Sequence, residues 1–208
     1  MTSSASVEYS NIRIQLKPGQ KLVLEGTDMS RNTFFTFCRE NPDLRIERNA
    51  SGQIEIMPPT SSETGRLNAS LSGELYVWNR AHQAGVTFDS STGFTLPNGA
   101  ERSPDAAWIR IARWEALPES EKRRFANIVP DFVVELRSPD QSLPELQKKM
   151  QEYLEMGALL GWLIDPQNQK TYVYSGASSV KTIGFEEVLY VEPVLEGFQI
   201  RMAELLSI

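Results

Sequence analysis

The chain predicts an α/β fold built around a mixed sheet, and three observations carry that reading. Leu67, Leu71, Leu75 and Trp78 recur at helical spacing along a segment over 62–82. Phe132, Val133, Val134 and Leu136 form an apolar run of the kind buried on both faces of a sheet. A second helical stripe, Leu146, Met150, Tyr153 and Leu154, is followed by the apolar segment Gly161 to Asp165. The resulting order is helix, three strands, helix, strand, with additions at both edges.

Taken from the start, residues 1–10 read as a tail. Ile12, Ile14 and Leu16 alternate as in a strand, and Pro18-Gly19 turns the chain before Leu22-Val23-Leu24. A short helix fits Ser30 to Arg39, stopped by Asn41-Pro42. Leu44 to Arg48 and Gln53 to Met57 flank Asn49-Ala50-Ser51-Gly52 as a β-hairpin, and Pro58-Pro59-Thr60 ends it. The long helix over 62–82 is expected to end at Gly85. Val86 to Phe94 and Ser103 to Ile111 read as strands around Pro97-Asn98-Gly99, and Trp114 to Asn127 as a polar connection with a helical turn. After the 132–136 strand, Ser138-Pro139 leads to a helix over Leu143 to Met156, then strands at Gly161–Asp165 and Lys170–Tyr174. The tail offers strands at Val188–Val191 and Phe198–Ile200 and a terminal helix over Met202–Leu206.

The chain has 208 residues, which predicts one domain over 1–208. Within it, 11–57 reads as N-terminal additions, 58–174 as the core and 175–208 as C-terminal strands and helix. A net charge of −6 argues against a protein that coats nucleic acid through cations alone. Cys38 is the only cysteine and His82 the only histidine, which excludes intrachain disulfides, cysteine-rich zinc sites and histidine-clustered metal centres. Cys38 reads as core and His82 as a partly buried capping residue. No signal-peptide pattern opens the chain, and no run approaches the roughly 20 apolar residues of a membrane span. A cytoplasmic protein without a membrane partner is expected.

Glu135 is the anomaly. It stands among apolar residues of a buried strand, where a carboxylate must be paired, protonated or metal-bound. An ion pair with Arg137, on the same face at period two, would satisfy it structurally. Asp105 opens another apolar strand after Pro104. A Pro-Asp dipeptide is most often only a turn, as Pro130-Asp131 is read here, but its pairing with Glu135 gives Asp105 weight. Two strand-borne carboxylates with nearby cations are the parts of a Mg²⁺-dependent phosphodiesterase site. On the helical wheel Lys149 flanks the buried stripe beside Tyr153, while Lys148 points to solvent. A flanking lysine also commonly snorkels. Glu63 and Glu74 project near one edge of the long helix, and Glu63 has an ordinary role as an acid at a helix start.

The run Pro130-Asp131-Phe132-Val133-Val134-Glu135-Leu136-Arg137-Ser138-Pro139, with Lys149, Tyr153, Gly157 and Gly161-Trp162-Leu163-Ile164-Asp165-Pro166, resembles the Uma-type restriction endonucleases of the PD-(D/E)XK nuclease superfamily. The resemblance spans about 34–174 and implies a restriction-endonuclease-like αβββαβ core, its central mixed sheet flanked by helices. By that resemblance Asp105 and Glu135 are the paired acids, Lys149 the helix-borne lysine and Glu63 the acid at the helix start. Arg137 occupies the place where the superfamily usually carries lysine, and Thr64 stands where many relatives have histidine.

These readings converge on a Mg²⁺-dependent endonuclease acting on DNA, with Mn²⁺ as a substitute. Asp105, Glu135 and the Leu136 carbonyl would hold the metal, Lys149 with Arg137 would position water and offset phosphorane charge, and Glu63 would assist. One rival is a nuclease fold kept as a weak or inactive module binding nucleic acid or protein, which the acidic pI and Arg137 favour. Another is a hydrolase of small phosphodiesters. Because duplex backbones are related by two-fold symmetry, a homodimer is expected, with Trp114, Phe125, Leu205, Leu206 and Ile208 as interface material.

Overall fold

A computed structural model describes residues 21–176 and 179–206. The expected tail, the strand at Ile12–Leu16, the Pro18-Gly19 turn and Ile208 lie outside them. The elements, in order, are β1 (Leu22–Leu24), α1 (Arg31–Glu40), β2 (Arg45–Arg48), β3 (Ile54–Met57), α2 (Ser62–His82), β4 (Gly85–Asp89), β5 (Phe94–Thr95), β6 (Glu101–Arg102) and β7 (Ala106–Arg110). They continue as α3 (Ile111–Glu115), α4 (Glu119–Lys122), β8 (Phe132–Leu136), α5 (Leu143–Met156), β9 (Leu160–Asp165), β10 (Lys170–Ser175), β11 (Val180–Gly184), β12 (Val188–Tyr190), β13 (Gln199–Arg201) and α6 (Met202–Leu206).

Six strands form the central sheet in the order β11-β10-β9-β8-β7-β4. Among the described residues, β8–β9 is the parallel pair of this sheet and the other pairs are antiparallel. Parallel neighbours need a crossover, which α5 supplies. The mixed α/β architecture, with α2, β4, β7, β8, α5 and β9 in αβββαβ order, is the expected one.

The two faces of β8 explain the two helices. Phe132, Val134 and Leu136 point to one side, where Leu67, Leu71, Leu75 and Trp78 of α2 pack with Trp162 and Ile164. Val133 points to the other, against Leu146, Met150, Tyr153 and Leu154 of α5. Helix α5 sits so close to β9 that a Cβ on Gly161 would collide with the Met150 side chain. That close approach fixes how far α5 stands from β8.

Helix α2 starts where Ser61 accepts the Thr64 N–H and ends at Gln83, whose φ of 50° is left-handed. Gly85 does not end it. It opens β4 instead, where any Cβ would strike Trp108 and the Ile109 carbonyl. The expected strand Val86–Phe94 is two strands in different sheets, because Asp89 Oδ1 accepts from Ser91 and Thr92 and turns the chain between them. The expected strand Ser103–Ile111 is shorter at both ends: β7 covers Ala106–Arg110, Ser103-Pro104-Asp105 separates it from β6, and Ile111 opens α3.

A second sheet, ordered β1-β3-β2-β6-β5, joins the N-terminal hairpin to β5 and β6. The hairpin is therefore continuous with strands from the expected core region across the 57/58 boundary. Strand β11, which the sequence reading lacks, is an edge strand whose first three residues are exposed.

Three of the expected interface residues, Trp114, Phe125 and Leu205, take part in this chain's own packing. Trp114 makes an edge contact with Phe88, Phe125 packs on Phe34 and Phe35, and Leu205 is buried in the main core. Cys38 packs against the Phe34 cluster. His82 is exposed rather than partly buried, and its Nδ1 lies 2.8 Å from the Trp78 carbonyl.

Candidate active site

Asp105 and Glu135 meet through the register of β7 and β8. Ala106 pairs with Val134, Ala107 with Val133 and Trp108 with Phe132, so the next position sets Asp105 opposite Glu135. Directly opposed residues of antiparallel strands share a face with their Cβ atoms roughly 4.5–5.5 Å apart. That face is the α5 side, since Ala106 and Val134 both pack toward α2. Asp105 Oδ2 accepts the Leu136 N–H at 2.7 Å, which places the Leu136 peptide beside both acids.

The cations come from three elements. Lys149 on α5 sits with Nζ 2.8 Å from Glu135 Oε1 and 2.8 Å from Glu47 Oε1. Arg45 at the start of β2 donates to Asp105 Oδ1 at 3.1 Å. Arg102 on β6 reaches Glu47, Glu55 and Glu152 at 3.2, 3.1 and 2.8 Å. The Tyr153 hydroxyl donates to Glu135 Oε1 at 3.1 Å. Among the described residues, both side chains that bond the Glu135 carboxylate thus do so at Oε1.

Burial sets the electrostatics. Glu135 is 2% exposed, and desolvation pushes its carboxyl up to about 7; Lys149 pulls it down, while Asp105 and Glu47 raise it further. Glu47 is equally buried, but there the attraction of Lys149, Arg102 and Arg45 outweighs desolvation and holds the carboxyl at about 2. Burial disfavours the Lys149 ammonium, yet Glu135 and Glu47 overcome that and raise it above an ordinary lysine. Desolvation, with the nearby carboxylates, keeps Tyr153 a phenol.

A cleft of about 800 Å³ opens over this cluster. Glu47, Glu135 and Lys149 line its floor, and the loops at the starts of α2 and α5 line a wall. Asp105 lies just behind the lining, held by Arg45 and Leu136. Five cationic and six acidic side chains border the cleft, so it carries no excess of positive charge.

Of the expected site residues, Asp105, Glu135, Leu136 and Lys149 come together. Two do not. Arg137 follows the strand's end, where its Nη1 binds both oxygens of Asp165 at 3.2 and 3.0 Å and its Nε donates to the Gln141 carbonyl. Asp165 is fully buried, so this arginine neutralises a structural acid and does not pair with Glu135. Glu63 is exposed and paired with Arg66 at 2.8 Å. Its helix position points it into solvent. Asp131 is more than a turn acid: it is buried, accepts the Arg110 N–H at 2.9 Å and pairs with Arg113 at 2.8 Å, clipping β7 to β8.

Glu47, Arg45 and Arg102 are the residues that sequence reasoning missed. The signal was present. The hairpin register sets Glu47 opposite Glu55, and like charges so placed destabilise a sheet unless a cation lies between them. Arg102 is that cation.

The donor set suits a hard cation. Among the described residues no third acidic, thiol or imidazole side chain completes a metal cluster. Mg²⁺ does not require one, because it keeps several waters and is bound through one or two carboxylates together with substrate phosphates. Glu135 Oε2 is left without a protein donor among the described residues, and the neighbouring Asp105 and Glu47 add to the proton affinity that burial gives Glu135.

A crystal structure described as a putative nuclease belonging to DUF820, from Anabaena variabilis ATCC 29413, matches with a TM-score of 0.70 at 21% identity, covering 86% of this chain and 98% of that one. At that identity the likeness supports the fold. No curated protein matches the chain. The sequence model of the Uma2 family, described as "Putative restriction endonuclease", matches residues 31–203. The chain belongs to the Uma2 family.

Proposed function

We propose that this protein is a Mg²⁺-dependent endonuclease that hydrolyses DNA phosphodiester bonds, with Mn²⁺ able to replace Mg²⁺. The observation that carries the proposal is the placement of Asp105 opposite Glu135, with the Lys149 ammonium 2.8 Å from Glu135. Asp105, Glu135 and the Leu136 carbonyl would hold the metal. When bound, the ion supplies Lewis-acid polarisation of the phosphate and a lowered pKa for coordinated water. Lys149, held 2.8 Å from Glu135, would donate to the attacking water and offset charge developing on the phosphorane. Arg45 holds Asp105 and the Tyr153 hydroxyl holds Glu135. The near balance of charge around the cleft makes strand binding depend on the divalent ion, which tips the site toward positive.

A second reading is favoured by one observation. The arginine in the usual lysine place is spent on Asp165, and the cleft holds one more acid than cation, as a module without catalysis would tolerate. Calorimetric titration of Mg²⁺ and Mn²⁺ into the wild type and Asp105→Ala separates the two. A nuclease binds metal in the wild type and loses it with Asp105; an inactive module binds in neither.

A further inference from the structure

The N-terminal hairpin contributes a residue that touches neither proposed metal ligand, yet governs the lysine that does. Glu47 Oε1 accepts from Lys149 at 2.8 Å and from the Ser103 N–H at 3.2 Å, and Oε2 accepts from Arg102 at 3.2 Å. Arg102 is itself fixed by Glu55 and Glu152. The carboxylate is therefore held on both oxygens by groups outside the catalytic pair.

We infer that Glu47 is a positioning residue. It draws the Lys149 ammonium onto the line between two carboxylates, and it anchors the Ser103-Pro104 approach to Asp105. A lysine side chain has four rotatable bonds, and one partner leaves its ammonium free to swing about that partner. Lys149 has two partners on different sheets, at equal distance. The Tyr153 ring, with its centroid 5.9 Å away, borders it as well. Sharing the ammonium also keeps Lys149 from neutralising Glu135 by itself, leaving that acid available to a metal. The hairpin is thus part of the catalytic assembly.

This inference rests on the proposed nuclease reading for its kinetic arm, and its structural arm is independent of that reading. The experiment combines crystal structures with steady-state cleavage of supercoiled plasmid in Mg²⁺ for the wild type, Glu47→Ala and Glu47→Gln. The expected kinetic result is a fall in kcat of roughly 10–100-fold in Glu47→Ala, the usual scale for loss of an outer partner, with KM within about twofold. Glu47→Gln, which keeps an acceptor oxygen, is expected to recover part of that loss and serves also if the alanine variant fails to fold. In the Glu47→Ala crystal Lys149 Nζ is expected to leave its place between the two carboxylates and swing about Glu135 as its remaining carboxylate partner, whereas Glu47→Gln is expected to keep it within about 3.5 Å of residue 47. Unchanged kcat in both variants, or a Lys149 ammonium fixed in its wild-type position in Glu47→Ala, would overturn the inference. A wild type that never cleaves plasmid sinks the nuclease reading, and the position of Lys149 in the variant crystals then decides the role of Glu47.

Discussion

Asp105, the residue before β7, continues the β7–β8 register to stand opposite Glu135, and it accepts the N–H of Leu136 at 2.7 Å. The relationship locks the two acids by backbone register as well as by side-chain rotamer. A site built on paired strands holds its geometry better than one carried on loops.

Lys149 and Lys148 are neighbours in sequence with opposite fates. Lys149 lies between two buried carboxylates, and Lys148 is exposed at the rim of the cleft. Lys149→Ala is expected to lower cleavage by roughly 10²–10³-fold, the scale of losing one preorganised charge. It also leaves Glu47 and Glu135 short of a cation, so thermal stability should fall. Lys148→Ala should leave both stability and catalysis near wild type. Equal effects in the two variants would contradict this account of the helix.

Arg137 holds a fully buried acid outside the cleft. Arg137→Ala is expected to cost about 3 kcal/mol in denaturant unfolding, because it strands Asp165 with less than its charge balance. Activity per folded molecule should be unchanged. A catalytic loss without a stability loss would return Arg137 to the active site.

The pH dependence of the metal-free protein has a defined sign. Burial is the main cause that raises Glu135 from 4.5 to about 7, so the native state binds this proton more tightly than the unfolded chain does. Its contribution is present below 4.5 and is lost as pH rises to about 7. Glu47 runs the other way: held at about 2, it contributes stability above 4.5 that is lost as pH falls toward 2. Wild-type unfolding free energy should therefore drop between pH 5 and pH 8, and Glu135→Gln should show a smaller drop. An identical drop in both proteins would remove Glu135 as the source.

Much of the fold was legible in the sequence because local signals agreed. Helices α2 and α5 have an apolar stripe, a serine before the first turn and a left-handed residue after the last one. Their expected bounds match those observed. The split of β4 from β5 was not legible, since Asp89 and its hydroxyl neighbours look like any polar stretch within a strand. Strand β11 presents few apolar side chains and is held by backbone pairing to β10. In the site, Glu135 declared itself by standing in an apolar run. Glu47 did not, because the alternation of Arg45, Ile46, Glu47 and Arg48 reads as a strand with one wet face. Only packing against β6 and α5 buries that face.

The central claim is that Asp105 and Glu135 form one metal-dependent hydrolytic site, and plasmid cleavage tests it most directly. Supercoiled plasmid would be incubated with the wild type, Asp105→Asn and Glu135→Gln in Mg²⁺, in Mn²⁺ and in excess chelator. The account predicts nicking or linearisation by the wild type in either metal, none in chelator, and a loss of at least about 10²-fold in each variant. Cleavage that persists in chelator, or that survives in both folded variants, would contradict it.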